Sequence, residues 1–269
     1  MKRRKTQPMI LPTQTGSGSL HGPRGYFRLS SQPLHILVFL MPVIVVYELG
    51  SMGLLGSGEP VKLEAQELLV RFFDLFGVLG LHLPALALVA TLLIQHILSR
   101  ENWRITPMVP LAMIAESAFL TGPLIILVII LNPQASLMMM PAPGLDGGIT
   151  HTFWDGLYLS FGAGLYEEML FRLVLITMLH FIVTDVLRFK DQTGKIAAVL
   201  ISALAFAWLH DGVYASGAGL NLRLVVFYIL AGGYFGILFL SRGLGIAVGA
   251  HLMYDLLAFV ILPGVQQTS

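Results

Sequence analysis

Apolar residues in this chain come in long runs separated by short polar stretches. Seven such runs stand at about 34–55, 75–98, 107–131, 155–183, 195–211, 222–241 and 244–262. Each is near the roughly 20 residues that an α-helix needs to cross a hydrocarbon core. Lipid offers no partner to backbone N–H and C=O groups, so a spanning run must close its hydrogen bonds internally as a helix. The pattern predicts an all-α fold, a polytopic transmembrane helix bundle of about seven to eight spans. The first run is interrupted by Glu48. Between the first and second runs, near residues 62–74, Leu68, Leu69, Phe72 and Phe73 alternate with Glu64, Glu67 and Arg71 at helical spacing. That stretch predicts an amphipathic helix lying along the membrane interface.

The polar stretches suggest an organisation. Residues 1–33 mix Pro, Gly, Ser and Thr with Lys2, Arg3, Arg4, Lys5, Arg24 and Arg28, and predict a flexible basic tail on the cytoplasmic side. The first apolar run starts too late for a signal peptide. Arg100 and Arg104 follow the second run, Arg188, Lys190 and Lys195 follow the fourth, and Arg242 follows the sixth. Basic residues thus fall on alternate loops, as a cytoplasmic N-terminus and an outward C-terminal tail require. Residues 34–150 make up the N-terminal spans and 151–269 the polar-bearing bundle. Glycines spaced four apart, Gly232 with Gly236 and Gly245 with Gly249, predict close helix packing. Trp103, Trp154 and Trp208 near run ends predict interfacial anchors. Met138, Met139 and Met140 with Pro141 and Pro143 predict an apolar loop that dips into the bilayer.

Composition agrees with the pattern. The chain of 269 residues is 56% hydrophobic and 12% charged, with a mean hydropathy of +0.80. Soluble domains carry about 25% charged residues, so the deficit selects a lipid environment. The net charge of +1 argues against nucleic acid as a partner. With no cysteine, disulfides, thiolate metal ligands and thiol nucleophiles are excluded.

Against that background a few polar side chains are costly. Glu167, Glu168 and Arg172 lie inside the fourth run, His210 ends the fifth, and His251 and Asp255 lie in the seventh. An ionisable group at bilayer depth costs about 2.5–3.5 kcal/mol on insertion scales and commonly marks function. Glu168 and Arg172 are four apart, share a helix face and are expected to pair. Glu167 points about 100° away and is free for other work. Such a set suits water activation. Glu167 would take a proton from a water that His210 also holds. His251 would donate to the oxyanion that develops on the attacked carbonyl, and Asp255 would orient His251.

Glu167-Glu168-x-x-x-Arg172, Phe206-x-x-x-His210 and His251-x-x-x-Asp255 resemble the three motifs of the CAAX prenyl endopeptidase and bacteriocin-processing family of intramembrane proteases. The resemblance covers roughly residues 155–262. It implies a glutamic endopeptidase acting on a membrane-associated or prenylated-type peptide or protein, without a cofactor, in a bacterial inner membrane. Prenyl-processing members resemble His-x-x-x-Asn at the third motif, whereas this chain has Asp255. A carboxylate donates a hydrogen bond only when protonated, which favours an orienting role there. Zinc held by the histidines and a glutamate is the alternative mechanism, although the HExxH pattern is absent. Ser216 lacks the Gly-x-Ser-Gly setting of a serine site, and there is no Gly-x-Gly-Asp pair. A membrane scaffold or peptide-immunity protein of the same fold is the non-enzymatic alternative. Glu116, Glu48, His82, His96 and His180 are expected to be interfacial or internally satisfied groups.

Overall fold

A computed structural model of the chain describes residues 23–55, 63–77, 80–131, 153–210, 214–215 and 219–261. All seven apolar runs are helical. Helix α1 (Pro23–Ser30) precedes α2 (Pro33–Ser51). Next come α3 (Glu64–Asp74), α4 (Leu83–Ser99), α5 (Met108–Leu120) and α6 (Gly122–Leu131). Helix α7 (Phe153–Glu168) runs on through a π-helical stretch, Met169–Ile176, into α8 (Thr177–Phe181) and a second π turn, Ile182–Val186. Helix α9 (Asp191–Trp208), a two-residue ribbon of β1 (Tyr214–Ala215) and β2 (Gly219–Leu220), α10 (Leu222–Arg242) and α11 (Leu244–Asp255) follow, and α11 widens into π geometry over Leu256–Ile261.

Among the described residues, four helical stretches are long and apolar enough to cross a membrane: Pro33–Ser51, Met108–Leu131, Phe153–Val186 and Leu222–Arg242. Leu83–Ser99 and Leu244–Ala258 are shorter apolar helices. Leu86, Ile94, Phe119, Ile129, Ile130 and Leu200 are exposed on the outside. An apolar exterior of this kind suits hydrocarbon rather than water, and the chain is an integral membrane protein.

The boundaries depart from the sequence pattern in three places. The expected flexible tail ends early, because the chain is helical from Pro23. Proline suits a first helical turn, where its missing N–H is not needed. Helix α1 is then tied down: the Tyr26 hydroxyl donates to Glu116, and Arg242 donates to both Glu116 (2.6 and 2.8 Å) and Ser30 Oγ (3.0 Å). The run expected from 75 becomes helical only at Leu83, after a turn at 75–77. The third run is broken between α5 and α6 at Thr121, just ahead of Gly122 and Pro123. Helix α3 forms where the amphipathic helix was expected and buries Ala65, Gln66 and Leu69.

Two apolar clusters form the interior. Leu40, Tyr47, Leu88, Met113, Leu165 and Ile246 belong to the first; Leu124, Phe171, Phe206, Phe227, Phe235 and Ala250 belong to the second. Helix α11, and α7 together with its π continuation, contribute to both, so the polar residues they carry sit at the seam. The two helices can approach only because Gly164 has no side chain. A Cβ there would lie 3.0 Å from the backbone nitrogen of Leu252. Helices α9 and α10 meet similarly, with Gly232 against the Cα of Ala203.

Candidate active site

All six polar residues singled out in the last spans come together. Glu167, Glu168 and Arg172 come from α7 and its π continuation. His210 follows α9, and His251 and Asp255 lie on α11. Each is at most 5% exposed. Both acid-bearing helices change from α to π geometry at the next residue, after Glu168 and after Asp255. A π segment adds a residue to the turn and re-aims the side chains around it, and such segments recur at functional sites.

Arg172 Nε lies 3.2 Å from Glu168 Oε2, and both side chains are fully buried. The pair makes an ionic contact but is out of line for a hydrogen bond. Arg172 NH2 donates to the carbonyl of Gly232 at 3.3 Å. Its guanidinium lies 4.6 Å from the ring centre of Phe206 and 5.3 Å from that of Phe235. The cation therefore has aromatic faces where water is excluded.

The histidines can be assigned from their partners. His210 Nδ1 lies 2.7 Å from the carbonyl oxygen of Phe206. A carbonyl only accepts, so Nδ1 carries a proton, and in the neutral ring the lone pair is at Nε2. Tyr228 packs on the His210 ring at 4.0 Å between centroids. His251 Nδ1 donates to Glu168 Oε1 at 2.8 Å. Its ring stacks on Phe235 at 4.6 Å, with 15° between planes.

Asp255, expected to orient His251, makes an ionic contact with it: Oδ2 lies 3.6 Å from Nε2, just beyond hydrogen-bond range. The carboxylate in contact with Nδ1 belongs to Glu168, which also faces Arg172. Phe235, Tyr228 and Gly232 frame the site and were not singled out for it. Aromatic residues in an apolar helix look like packing until their partners are known, and Gly232 carried only a packing signal.

Glu167 Oε2 lies 3.7 Å from His210 Nε2 and 3.8 Å from His251 Nε2. It is buried and makes no hydrogen bond. Two imidazole nitrogens thus converge on one carboxylate oxygen at ionic-contact distances, longer than a direct hydrogen bond. Among the described residues, no three His, Asp or Glu side chains form an arrangement that could hold a metal ion.

The other polar groups are mostly satisfied. Glu116 takes the contacts from Tyr26 and Arg242 described above. Glu48 accepts from Tyr166 and pairs with His82, and His180 Nε2 lies 3.0 Å from Asp191. His96 departs from that pattern: it is buried against Trp103 with neither ring nitrogen hydrogen-bonded. Trp103, Trp154 and Trp208 are all exposed, as anchors require. Ser216 and the Met138–Pro143 stretch lie outside the described residues.

Ionisable side chains buried among lipid-facing helices define an integral membrane protein with a polar functional centre. Residues 149–257 match the family model described as Type II CAAX prenyl endopeptidase Rce1-like. This is the kind of protein that the three motifs resemble, and all six clustered side chains fall inside the matched stretch. The match covers about two fifths of the chain, and over that stretch the C-terminal helices are similar to those of this family of membrane endopeptidases. No curated protein and no solved structure matches the chain.

Proposed function

We propose that this chain is an intramembrane glutamic endopeptidase that hydrolyses a peptide bond by water held between Glu167 and the two histidines. The observation that carries this is the position of Glu167 Oε2, unbonded and 3.7 and 3.8 Å from two Nε2 atoms. Water donates one hydrogen to Glu167 Oε2 and the other to the lone pair of His210 Nε2. As its oxygen attacks the carbonyl carbon, Glu167 takes the proton. His251, protonated on both nitrogens, donates Nδ1–H to Glu168 and Nε2–H to the developing oxyanion, a kind of contact worth about 2.7–4 kcal/mol per donor. Collapse breaks the C–N bond, and the proton on Glu167 passes to the leaving nitrogen. The products are a carboxylic acid, whose proton (the water's second) passes to His210 Nε2 and on to solvent to leave a carboxylate, and an amine.

Glu168 and Arg172 hold His251 in place, and Asp255 supplies a further negative charge beside its Nε2. No step uses a cofactor. The substrate is a membrane-associated peptide, and the family match supports a prenylated cysteine near its C-terminus. The alternation of basic loops supports a cytoplasmic N-terminus, and the bacterial-type third motif supports a bacterial inner membrane.

The test uses the full chain purified into lipid nanodiscs. Its substrate is a quenched fluorescent peptide carrying farnesyl-cysteine followed by three residues. Wild type is expected to release the three residues as a peptide, and Glu167→Gln is not. Wild type as inert as Glu167→Gln would overturn the proposal. Equal cleavage of the same peptide without farnesyl would keep the protease and remove the prenyl specificity.

A further inference from the structure

Glu48 lies outside the matched stretch, near the end of α2, yet it reaches the helix that carries Glu167. Its Oε1 accepts a hydrogen bond from the Tyr166 hydroxyl. Its Oε2 pairs with Nδ1 of His82, just ahead of α4. Tyr166 is fully buried, while the side chains of Glu48 and His82 are 14% and 40% exposed. Next to them the Tyr47 hydroxyl donates to Gln66 Oε1 in α3, and Gln66 Nε2 donates to the carbonyl of Leu81 at 3.2 Å. The Tyr47 ring stands edge-on to Tyr166 at 4.9 Å and fills the space that a side chain at Gly162 would need. Residues from α2, α3, the start of α4 and α7 are thus joined by side-chain hydrogen bonds beside the site.

Successive residues of an α-helix are rotated by a fixed angle, so fixing Tyr166 fixes the heading of Glu167. Two residues later the α ladder gives way to π geometry, and regular hydrogen bonding no longer enforces that rotation from below. Glu48 holds the last regular turn. We propose that Glu48 is a positioning residue: by accepting the Tyr166 hydroxyl it sets the rotation of α7, and so keeps Glu167 Oε2 between the two imidazoles. The inference rests on the proposed protease activity. It assigns the N-terminal helices a part in the chemistry, beyond spanning the membrane.

The test uses the farnesylated peptide and the nanodisc protein described above. Tyr166→Phe removes the hydroxyl alone and leaves the ring packed. Glu48→Leu removes the acceptor, and Glu48→Gln keeps one. Misplacing a reacting group slightly lowers turnover by roughly ten- to a hundredfold. That fall in kcat, with KM unchanged, is expected for Tyr166→Phe and Glu48→Leu. Glu48→Gln is expected to recover most of the activity. The Tyr166→Phe/Glu48→Leu double variant is expected to be no slower than the worse single one, because both break the same bond. Wild-type kcat in Tyr166→Phe, losses that multiply in the double variant, or a Gln as damaging as Leu would each overturn the inference. If Glu48→Leu does not fold, Tyr166→Phe decides alone. Glu167→Gln is the reference that separates the two proposals. Activity in that variant removes the protease mechanism; its inactivity beside an unaffected Tyr166→Phe removes only the role of Glu48.

Discussion

Replacing Arg172 by methionine removes the guanidinium that faces Glu168, leaves that carboxylate with His251 as its charged partner, and keeps most of the side-chain volume. Both members of the pair are fully buried and lie 3.2 Å apart. Breaking a buried pair by removing one partner costs about 3–5 kcal/mol, and the contact with His251 at 2.8 Å leaves Glu168 partly compensated, so the lower end applies. The aromatic contacts at 4.6 and 5.3 Å add about 0.5–2 kcal/mol. The expected loss for Arg172→Met is therefore about 3.5–5 kcal/mol. Adding Glu168→Gln removes the stranded charge and should recover a large part of it. The assay is unfolding in mixed micelles of rising SDS content, followed by circular dichroism. A single variant within about 1 kcal/mol of wild type would refute the argument, since exposed pairs lose no more than that. A double variant no more stable than the single one would show that the loss is packing and not charge.

Further expectations bear on the frame of the site. Gly164→Ala places a methyl group 3.0 Å from the Leu252 backbone. It is expected to cost about 1–3 kcal/mol by overpacking and to lower cleavage by pushing α7 from α11; unchanged stability and rate would contradict that packing. Phe235→Ala removes the ring stacked on His251, with a loss of about 3–5 kcal/mol measurable in the same unfolding assay. In the first turn of α9, the hydrogen bond from Lys195 holds the Asp191 carboxyl below the usual carboxylate range. Its stabilising contribution is present above the ordinary carboxylate value and fades as pH falls through the lowered one. The side chain is 65% exposed, so Asp191→Asn is expected to cost less than about 1 kcal/mol near neutral pH, and nothing once the pH is low enough to protonate the wild-type residue. Incubation with a strong chelator is expected to leave peptide cleavage unchanged; loss of activity restored by zinc would favour the metal mechanism.

Much of the helical architecture was legible because a membrane allows few ways to satisfy a backbone. Seven apolar runs became helices, and α3 emerged from its spacing alone. The start of α1 was hidden because Pro23–Ser30 has basic and polar residues that resemble a tail. Its anchors, Glu116 and Arg242, lie far away in the chain. The break at Thr121 was signalled by Gly122 and Pro123, yet a long apolar run outweighs one proline in a pattern. In the site, charged residues were conspicuous against a greasy background, and helical spacing gave the contact between Glu168 and Arg172. Spacing on one helix could not tell whether His251 would turn to Asp255 or to Glu168. That choice depends on how α7 crosses α11, which Gly164 sets, and on the π geometry after Glu168. Tyr166 and Glu48 likewise meet only in three dimensions.

The central claim is that Glu167 removes the proton from the attacking water. It is tested most directly by single-turnover cleavage of the farnesylated peptide in heavy-oxygen water, with wild type and Glu167→Gln compared in the same nanodiscs. Wild type should place one heavy oxygen in the new carboxylate. The variant, equally folded, should be slower by about 10²–10⁴-fold, the range of general-base catalysis. A Glu167→Gln rate indistinguishable from wild type, with the same label in the product, would contradict the account.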